Sequence, residues 1–211
     1  MSIQSDGLTV DGVTIDDGTA TGPDGAAHNT DAFDIGNSDG VTLKNSKINN
    51  QDDCVAINSG TNIQISNLQC NGSHGISIGS VGGRSNNDVA NVLVTGSTIT
   101  NGQNGLRIKT VSGETGSVKN VTWSDNKLSG ITDYGIVVQQ DYENGSPTGT
   151  ATNGVVIDGL TVTDVTGSVT GDAQEVYVLC GTQCDNFKFS GVKITGGEKG
   201  SVKGVSIQGY S

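Results

Sequence analysis

Proline, leucine and long apolar stretches are scarce in this chain, and each scarcity excludes a class of protein. The 211 residues include only 2 Pro, which rules out collagen and makes a proline-rich linker a poor description. Leucine occurs 8 times, against 39 valines and isoleucines, and β-branched side chains favour strands over helices. No apolar run approaches the roughly 20 residues of a membrane span. The composition therefore predicts an all-β protein without a membrane segment.

Basic residues are also few, with 11 Lys and Arg against 22 Asp and Glu, for a net charge of −11. A chain this acidic is repelled by nucleic acid and by anionic membranes, so neither is an expected partner. The first residues have neither the basic start nor the apolar stretch of a signal peptide. We therefore expect a mature form with an added methionine, or a segment that begins inside a longer protein.

Short strand patterns recur along the chain in a fixed order. The segment Ala32–Asn37 aligns with Cys54–Ser59 at an offset of 22 residues. Related segments begin at four further residues, Gly75, Gly105, Gly135 and Glu175. Each segment has two apolar residues separated by one other, which is the period of a strand with one buried face.

Two further apolar patterns follow in every unit, with Gly, Asn, Asp and Ser in the turns between them. Three short strands per coil of roughly 20–30 residues are typical of a parallel β-helix. A β-sandwich gives no reason for a fixed order of three strands, and a propeller needs longer units. We therefore predict a single right-handed parallel β-helix domain over residues 1–211, with extra loops at 80–91 and 140–153.

Four cysteines occur in this glycine-rich chain. Two disulfides are favoured over free buried thiols or a zinc site, because zinc ligands are usually closely spaced pairs. Proximity pairs Cys54 with Cys70, across successive coils, and Cys180 with Cys184 in a small loop. Sequons that permit a secreted protein occur at three asparagines, Asn71, Asn120 and Asn144. Secretion to the extracellular space is the expected localisation.

Stacked coils bring residues at the same repeat position together, since neighbouring strands lie about 4.8 Å apart. Asp31, Asp53 and His74 share one position on successive coils, and Asp52 adjoins Asp53. Three carboxylates this close repel one another, so at least one pKa should be raised, as acid–base hydrolysis requires. The alternative is that these aspartates only hydrogen-bond to the backbone of turns.

The direction of these side chains depends on the start of each strand. Asp31 and Asp53 lie two residues before the inward-facing Phe33 and Val55, so a regular strand would point both carboxylates inward. A bend at the strand start must turn them out. On a later coil, Arg107 and Lys109 flank a core residue and should therefore leave the same face of the sheet.

Four motifs carry a resemblance to a known family: Asn29-Thr30-Asp31, Gln51-Asp52-Asp53, Gly72-Ser73-His74-Gly75 and Arg107-Ile108-Lys109. In order and spacing they resemble the signature motifs of fungal endopolygalacturonases, glycoside hydrolase family 28. The resemblance extends from His28 to Gly197. It implies endo-hydrolysis of α-1,4-galacturonosyl links in polygalacturonate or pectin, with inversion, and it implies neither a cofactor nor a metal.

The resemblance also implies a role for each site residue. Asp52 is the general acid, Asp31 and Asp53 hold and activate the attacking water, and His74 supports the acid. The implied substrate-binding residues are Arg107, Lys109, Tyr142, Asn37, Asp133 and Gln139.

Some features depart from the family pattern. Family catalytic domains have further coils on the N-terminal side and a cysteine-bonded C-terminal tail, so we expect a shortened solenoid. Gln103 stands where an acidic cleft residue is often seen. A competing hypothesis is therefore a β-helix that keeps the motifs without turnover, as a structural or pectin-binding module. We expect a monomer, with self-association through the uncapped N-terminal coil around Leu8–Ile15 as the alternative.

Overall fold

Three β-sheets account for the regular structure of this chain. The computed structural model describes residues 1–18, 29–143 and 146–210; His28 and Asn144 lie outside this description. Within it no residue is helical, and no helix is available that could cross a membrane. Strands are numbered along the chain from β1 to β26.

Each sheet takes one strand from nearly every coil. Sheet 1 contains β1 (Ser2–Ile3), β4 (Phe33–Ile35), β8 (Val55–Ile57), β11 (Ile76–Val81), β14 (Asn104–Val111), β17 (Tyr134–Glu143), β18 (Ser146–Pro147), β21 (Gln174–Leu179) and β25 (Glu198–Lys203). Sheet 2 contains β2 (Thr9–Asp11), β5 (Ser38–Asp39), β6 (Thr42–Lys44), β9 (Gly60–Ser66), β12 (Asp88–Thr95), β15 (Gly116–Ser124), β19 (Val155–Thr163), β22 (Cys184–Asp185), β23 (Phe187–Ser190) and β26 (Ile207–Gln208). Sheet 3 contains β3 (Thr14–Asp16), β7 (Lys47–Asn49), β10 (Gln69–Asn71), β13 (Thr98–Thr100), β16 (Lys127–Ile131), β20 (Thr166–Val169) and β24 (Lys193–Thr195).

The chain visits the three sheets in turn and then begins the next coil. Neighbouring strands within each sheet come from successive coils and run parallel. The exception among the described residues is the antiparallel pair β17–β18. The predicted all-β, right-handed parallel β-helix is confirmed.

The core is built from columns of identical repeat positions. In sheet 1 the register aligns six buried residues on successive coils, Ile35, Ile57, Ile78, Ile108, Val138 and Val178. Because side chains alternate along a strand, the residue before each of these points to the outer face. That outer column reads Asp34, Ala56, Ser77, Arg107, Val137 and Tyr177. The outer face of sheet 1 is thus where the predicted site residues converge.

Both predicted disulfides are present, Cys54–Cys70 and Cys180–Cys184, and no described cysteine is free. The prediction that Cys54 and Cys70 bridge successive coils needs correction. Cys54 lies directly before β8 and Cys70, 16 residues on, lies in β10 of the same coil. The bond forms because the end of a coil returns beside its own beginning.

Candidate active site

A groove on the outer face of sheet 1 collects most of the predicted site residues. Its volume is about 430 Å³. The lining consists of Asn29, Asp52, His74, Gln103, Asn104, Arg107, Lys109, Asp133, Tyr134, Gln139, Tyr142 and Pro147. We call this the site groove. Asn37 lies outside it, in a neighbouring cavity of about 390 Å³ that Asp34, Asn58 and Arg84 also line.

A bend before each strand directs the aspartates, as the sequence predicted. Strands β4 and β8 begin only at Phe33 and Val55, after a bend at the residue before each. The two bends stack, since the backbone N–H of Ala32 donates to the Asp53 carbonyl at 3.0 Å. Both aspartates therefore lie before their strands begin. The alternation of inward and outward side chains along a strand does not fix their direction.

Asp52 and His74 form a hydrogen-bonded pair at the groove wall. His74 Nδ1 lies 3.1 Å from Asp52 Oδ1, and the backbone N–H groups of Asp53 and Asn29 donate to Oδ1 and Oδ2 at 2.7 and 3.1 Å. A carboxylate that accepts several hydrogen bonds is stabilised in its ionised form.

The two members of this pair shift each other's titration. Burial raises the pKa of Asp52, but the hydrogen bond and charge of His74, with the Asp53 N–H and the Lys109 charge, outweigh burial and lower it to about 2. The hydrogen bond to Asp52 raises the pKa of His74, against the effect of burial, and the charges of Asp52 and Asp53 add to the rise. Both shifts favour the ion pair of a protonated His74 and an ionised Asp52.

Asp53 is held on both of its oxygens. Lys109 Nζ lies 2.7 Å from Oδ2, and the Ser77 hydroxyl donates to Oδ1 at 2.7 Å. The carboxylate side chain is only 1% exposed. Lys109 reaches it across Gly79 of β11, where an added Cβ would lie 3.0 Å from Lys109 Cγ and 2.1 Å from the Lys109 carbonyl oxygen. Glycine at this position leaves the path of the lysine open.

Asp31 carries the raised pKa that the cluster of carboxylates predicted. Burial, and then the negative charges of Asp52, Asp34 and Asp53, raise its pKa to about 6. The Lys109 charge opposes these effects and is smaller than each of them. Asp31 is therefore the acidic group of this cluster best able to exchange a proton at mildly acidic pH.

The cationic side of the groove is built from β14 and β17. Arg107 and Lys109 leave the same face, as predicted, and lie over the Tyr142 ring at 5.6 and 5.3 Å from its centroid. The register places Gln139 beside Lys109. Arg107 Nε is buried without a hydrogen-bond partner among the described residues. Arg107 lines the groove, and the planar fork of a guanidinium suits the oxygens of a carboxylate.

Sequence reasoning missed several residues of this site. Ser77 holds Asp53, and Asn104 Nδ2 donates to the His74 carbonyl at 3.2 Å. Asp34 is a fourth carboxylate beside this cluster, and burial is the main cause that raises its pKa. Repeat position was the available signal, because Ser77 and Asp34 occupy the outer column that also contains Arg107.

One cluster has the spacing of a metal site. A ligand atom from each of Asp52, Asp53 and His74 lies within 4.8 Å of the others. Some of these atoms already have partners, since Lys109 binds Asp53 and His74 binds Asp52. A metal ion would have to displace the Lys109 ammonium or compete with its charge. The absence of a metal requirement stays a prediction.

Comparisons with known proteins agree on one family. The family model described as glycosyl hydrolases family 28 matches residues 1–208. A curated relative named polygalacturonase, from Cochliobolus carbonum, is 57% identical over 196 residues, which is 92% of this chain and 53% of the relative. The chain thus spans about half the length of the curated relatives it matches.

Solved structures agree with the sequence comparison. Endopolygalacturonase I from Stereum purpureum, solved with two galacturonate, matches with a TM-score of 0.84 and 37% identity over 98% of this chain and 62% of that chain. Endo-xylogalacturonan hydrolase from Aspergillus tubingensis matches with a TM-score of 0.81 and 28% identity over 100% of this chain and 62% of that chain.

Proposed function

The chain belongs to glycosyl hydrolases family 28, and from this membership we propose that it hydrolyses α-1,4-galacturonosyl links in polygalacturonate and unesterified pectin. The observation that carries the proposal is the meeting of the Asp52–His74 pair with Arg107 and Lys109 in one groove. A protein of net charge −11 needs local positive potential to bind a polyanion. The groove supplies it beside the acid–base groups.

In this proposal the Asp52–His74 pair is the source of the proton for the leaving oxygen. The pair holds one proton across a 3.1 Å contact, and in the free site that proton lies on His74. Substrate binding excludes water, and loss of water raises the pKa of a carboxylate. The proton then moves to Asp52, which delivers it as general acid.

In this proposal Asp31 and Asp53 have different roles toward the attacking water. Asp31 has a pKa of about 6, so it is an effective general base just above that pH. Asp53 is fixed by Lys109 and Ser77, so it orients the water and the neighbouring charges. The proposal requires room for that water between the Asp52 acid and the Asp31 base, and in inverting enzymes the carboxyl groups lie roughly 6.5–9.5 Å apart.

Substrate carboxylates are bound by the cationic side of the groove. Arg107 binds in a forked geometry and Lys109 as a point charge, while Tyr142 fixes both cations from below. The remaining contacts with the polymer in this proposal come from Asn37, Asp133 and Gln139, of which the latter two line the site groove. Asn37, in the neighbouring cavity, would contact a more distant sugar.

The compartment follows from the cysteines. Two disulfides, with no free cysteine among the described residues, persist where the environment is oxidising. We therefore propose that the protein is secreted and acts outside the cell, as a single β-helix domain.

The test is release of reducing ends from polygalacturonate at acidic pH by the wild type, by Asp52→Asn and by Asp172→Asn, an exposed aspartate outside the groove lining. We expect activity in the wild type and in Asp172→Asn, and a loss of at least about 100-fold in Asp52→Asn. Proton NMR of the first product should show the β-anomer, as inversion requires. Binding without hydrolysis, or an unsaturated product, would overturn the proposal.

A further inference from the structure

Among the residues that the structure describes, Ser77 makes one of the two side-chain hydrogen bonds that fix the Asp53 carboxylate. Its hydroxyl lies 2.7 Å from Asp53 Oδ1, while Lys109 Nζ lies 2.7 Å from Oδ2. The serine is 0% exposed and the aspartate 1% exposed. The two donors come from different strands, β11 and β14, so the carboxylate is held by two successive coils above its own.

Ser77 is a buried polar side chain in the outer column of sheet 1, where Ala56 and Val137 are also buried. The register places it on the outer face of sheet 1, between Ala56 and Arg107. A hydroxyl buried without a partner is costly, and here the carboxylate is its acceptor. Alanine at this position would leave Asp53 Oδ1 buried without that donor, and an unsatisfied charged group costs more than a neutral one.

We propose that Ser77 is a positioning residue of the hydrolysis proposed above, because its hydroxyl fixes one Asp53 oxygen while Lys109 fixes the other. The expected effect of Ser77 on turnover rests on the proposed function. The contact between Ser77 and Asp53 does not depend on that function. Ser77 acts through Asp53 and lies outside the lining of the site groove.

The charges that face Asp53 explain why a neutral donor matters. Asp31 and Asp34 on the preceding coil and the adjacent Asp52 are negative, whereas His74 and Lys109 oppose them. Like charges raise the pKa of a carboxylate, and a hydrogen bond to the ionised form lowers it. Loss of the Ser77 hydroxyl should therefore leave the Asp53 carboxylate held by Lys109 alone on Oδ2, beside three like charges.

The experiment compares Ser77→Ala with Ser77→Thr and with Ser97→Ala. Ser97 is equally buried and hydrogen-bonded, but it lies near β13 in sheet 3, away from the groove. We expect Ser77→Ala to lower kcat by about 10- to 100-fold with little change in KM, and to move the acid limb of kcat upward in pH. Ser77→Thr, which keeps the hydroxyl, should restore much of kcat, and Ser97→Ala should keep the wild-type pH profile.

A second measurement separates this inference from the proposed function. Carbon NMR titration of the Asp53 carboxyl in wild type and Ser77→Ala reports its pKa whether or not the chain turns over substrate. A wild type without hydrolysis overturns the proposed function and leaves the titration to decide on Ser77. An unchanged Asp53 titration, or an unchanged kcat and pH profile in an active chain, overturns the role of Ser77. If Ser77→Ala does not fold, Ser77→Cys, a weaker donor of similar size, takes its place.

Discussion

At the scale of single residues, the carboxylates of the groove differ in what holds them. Asp53 is bound on both oxygens and Asp52 by three donors, whereas Asp31 has burial and like charges around it. Ionisation of Asp31 in the folded protein therefore lowers the free energy of unfolding. Functional sites commonly carry such a cost.

Replacing Asp31 should reveal that cost as a pH-dependent gain in stability. The folded pKa of Asp31, about 6, exceeds its ordinary value of 3.8, so its contribution favours folding below about pH 4 and is lost as pH rises through 6. Asp31→Asn removes the ionisable group. We expect it to be more stable than the wild type at pH 7 and equal to it at pH 3.5, measured by urea unfolding. Asp172→Asn, at an exposed position, should show no such difference, and an Asp31→Asn gain that is independent of pH would contradict the prediction.

Lys109 should affect both substrate binding and the acid limb. Burial raises the pKa of Asp31, and the Lys109 ammonium opposes that rise, so Lys109→Ala should raise it further. It also removes a cation from the groove. We expect KM for polygalacturonate to rise about tenfold or more and the acid limb to move to higher pH. Lys127→Ala, exposed on sheet 3, is the control. An unchanged KM and acid limb in Lys109→Ala would contradict the prediction and leave Lys109 with no role beyond its contact with Asp53.

The sequence period predicted which residues share a column, but not how far their side chains reach. It placed Asp31, Asp53 and His74 on successive coils and directed Arg107 and Lys109 outward, as the structure shows. The contact of Lys109 with Asp53 crosses an intervening strand at Gly79. That reach depends on side-chain length and on space above a glycine, and neither is contained in a repeat of apolar positions.

At the scale of the elements, asparagine turns between sheets 2 and 3 determine how the coils stack. Asn45 and Asn67 have φ of 54°, and Gly96 takes the same place in the next coil with φ of 63°. Asparagine tolerates this left-handed conformation better than other residues with a side chain. Its amide also forms a ladder, since Asn67 Nδ2 donates to Asn45 Oδ1 at 3.3 Å and Asn45 Nδ2 to Asp11 Oδ1 at 2.8 Å.

The turn at Asn67 offers a clean test, because its side chain is exposed. Asn67→Ala keeps an L side chain in the left-handed region and should lower the free energy of unfolding by about 1–2 kcal/mol. Asn67→Gly loses the same amide but adopts positive φ without steric strain, so it should cost less. Urea unfolding of the two variants measures the difference. Equal losses would assign the effect to the ladder hydrogen bond instead of the backbone.

The strands were easier to predict than the segments between them. Alternating apolar residues marked most strands of each coil, yet residues 80–91 were predicted as an extra loop. The structure has β11 continue to Val81 and β12 begin at Asp88. Polar residues there pair with the neighbouring coil, as Asp88 with Ser117. Backbone pairing with a preformed edge needs no apolar pattern, so these extensions left no signal in the sequence.

At the scale of the whole molecule, stability in a solenoid is a sum of contacts between neighbouring coils. The register links each strand of sheet 1 only to the coils before and after it. A local weakening should therefore stay local, and a single unfolding free energy describes such an array poorly. Protection of individual amides against hydrogen exchange is the better measure.

The two disulfides should differ in the size and place of their effect. They close loops of 16 and 4 residues, for which chain entropy gives about 3 and about 2 kcal/mol. In Cys54→Ala/Cys70→Ala we expect faster amide exchange in β8, β10 and β11, unchanged exchange in β25, and lower kcat, because Cys54 follows Asp53 directly. In Cys180→Ala/Cys184→Ala the faster exchange should lie in β21 and β23, with β8 unchanged. Uniform loss of protection along the chain in both variants would mean that the coils unfold as one cooperative unit, against the nearest-neighbour description.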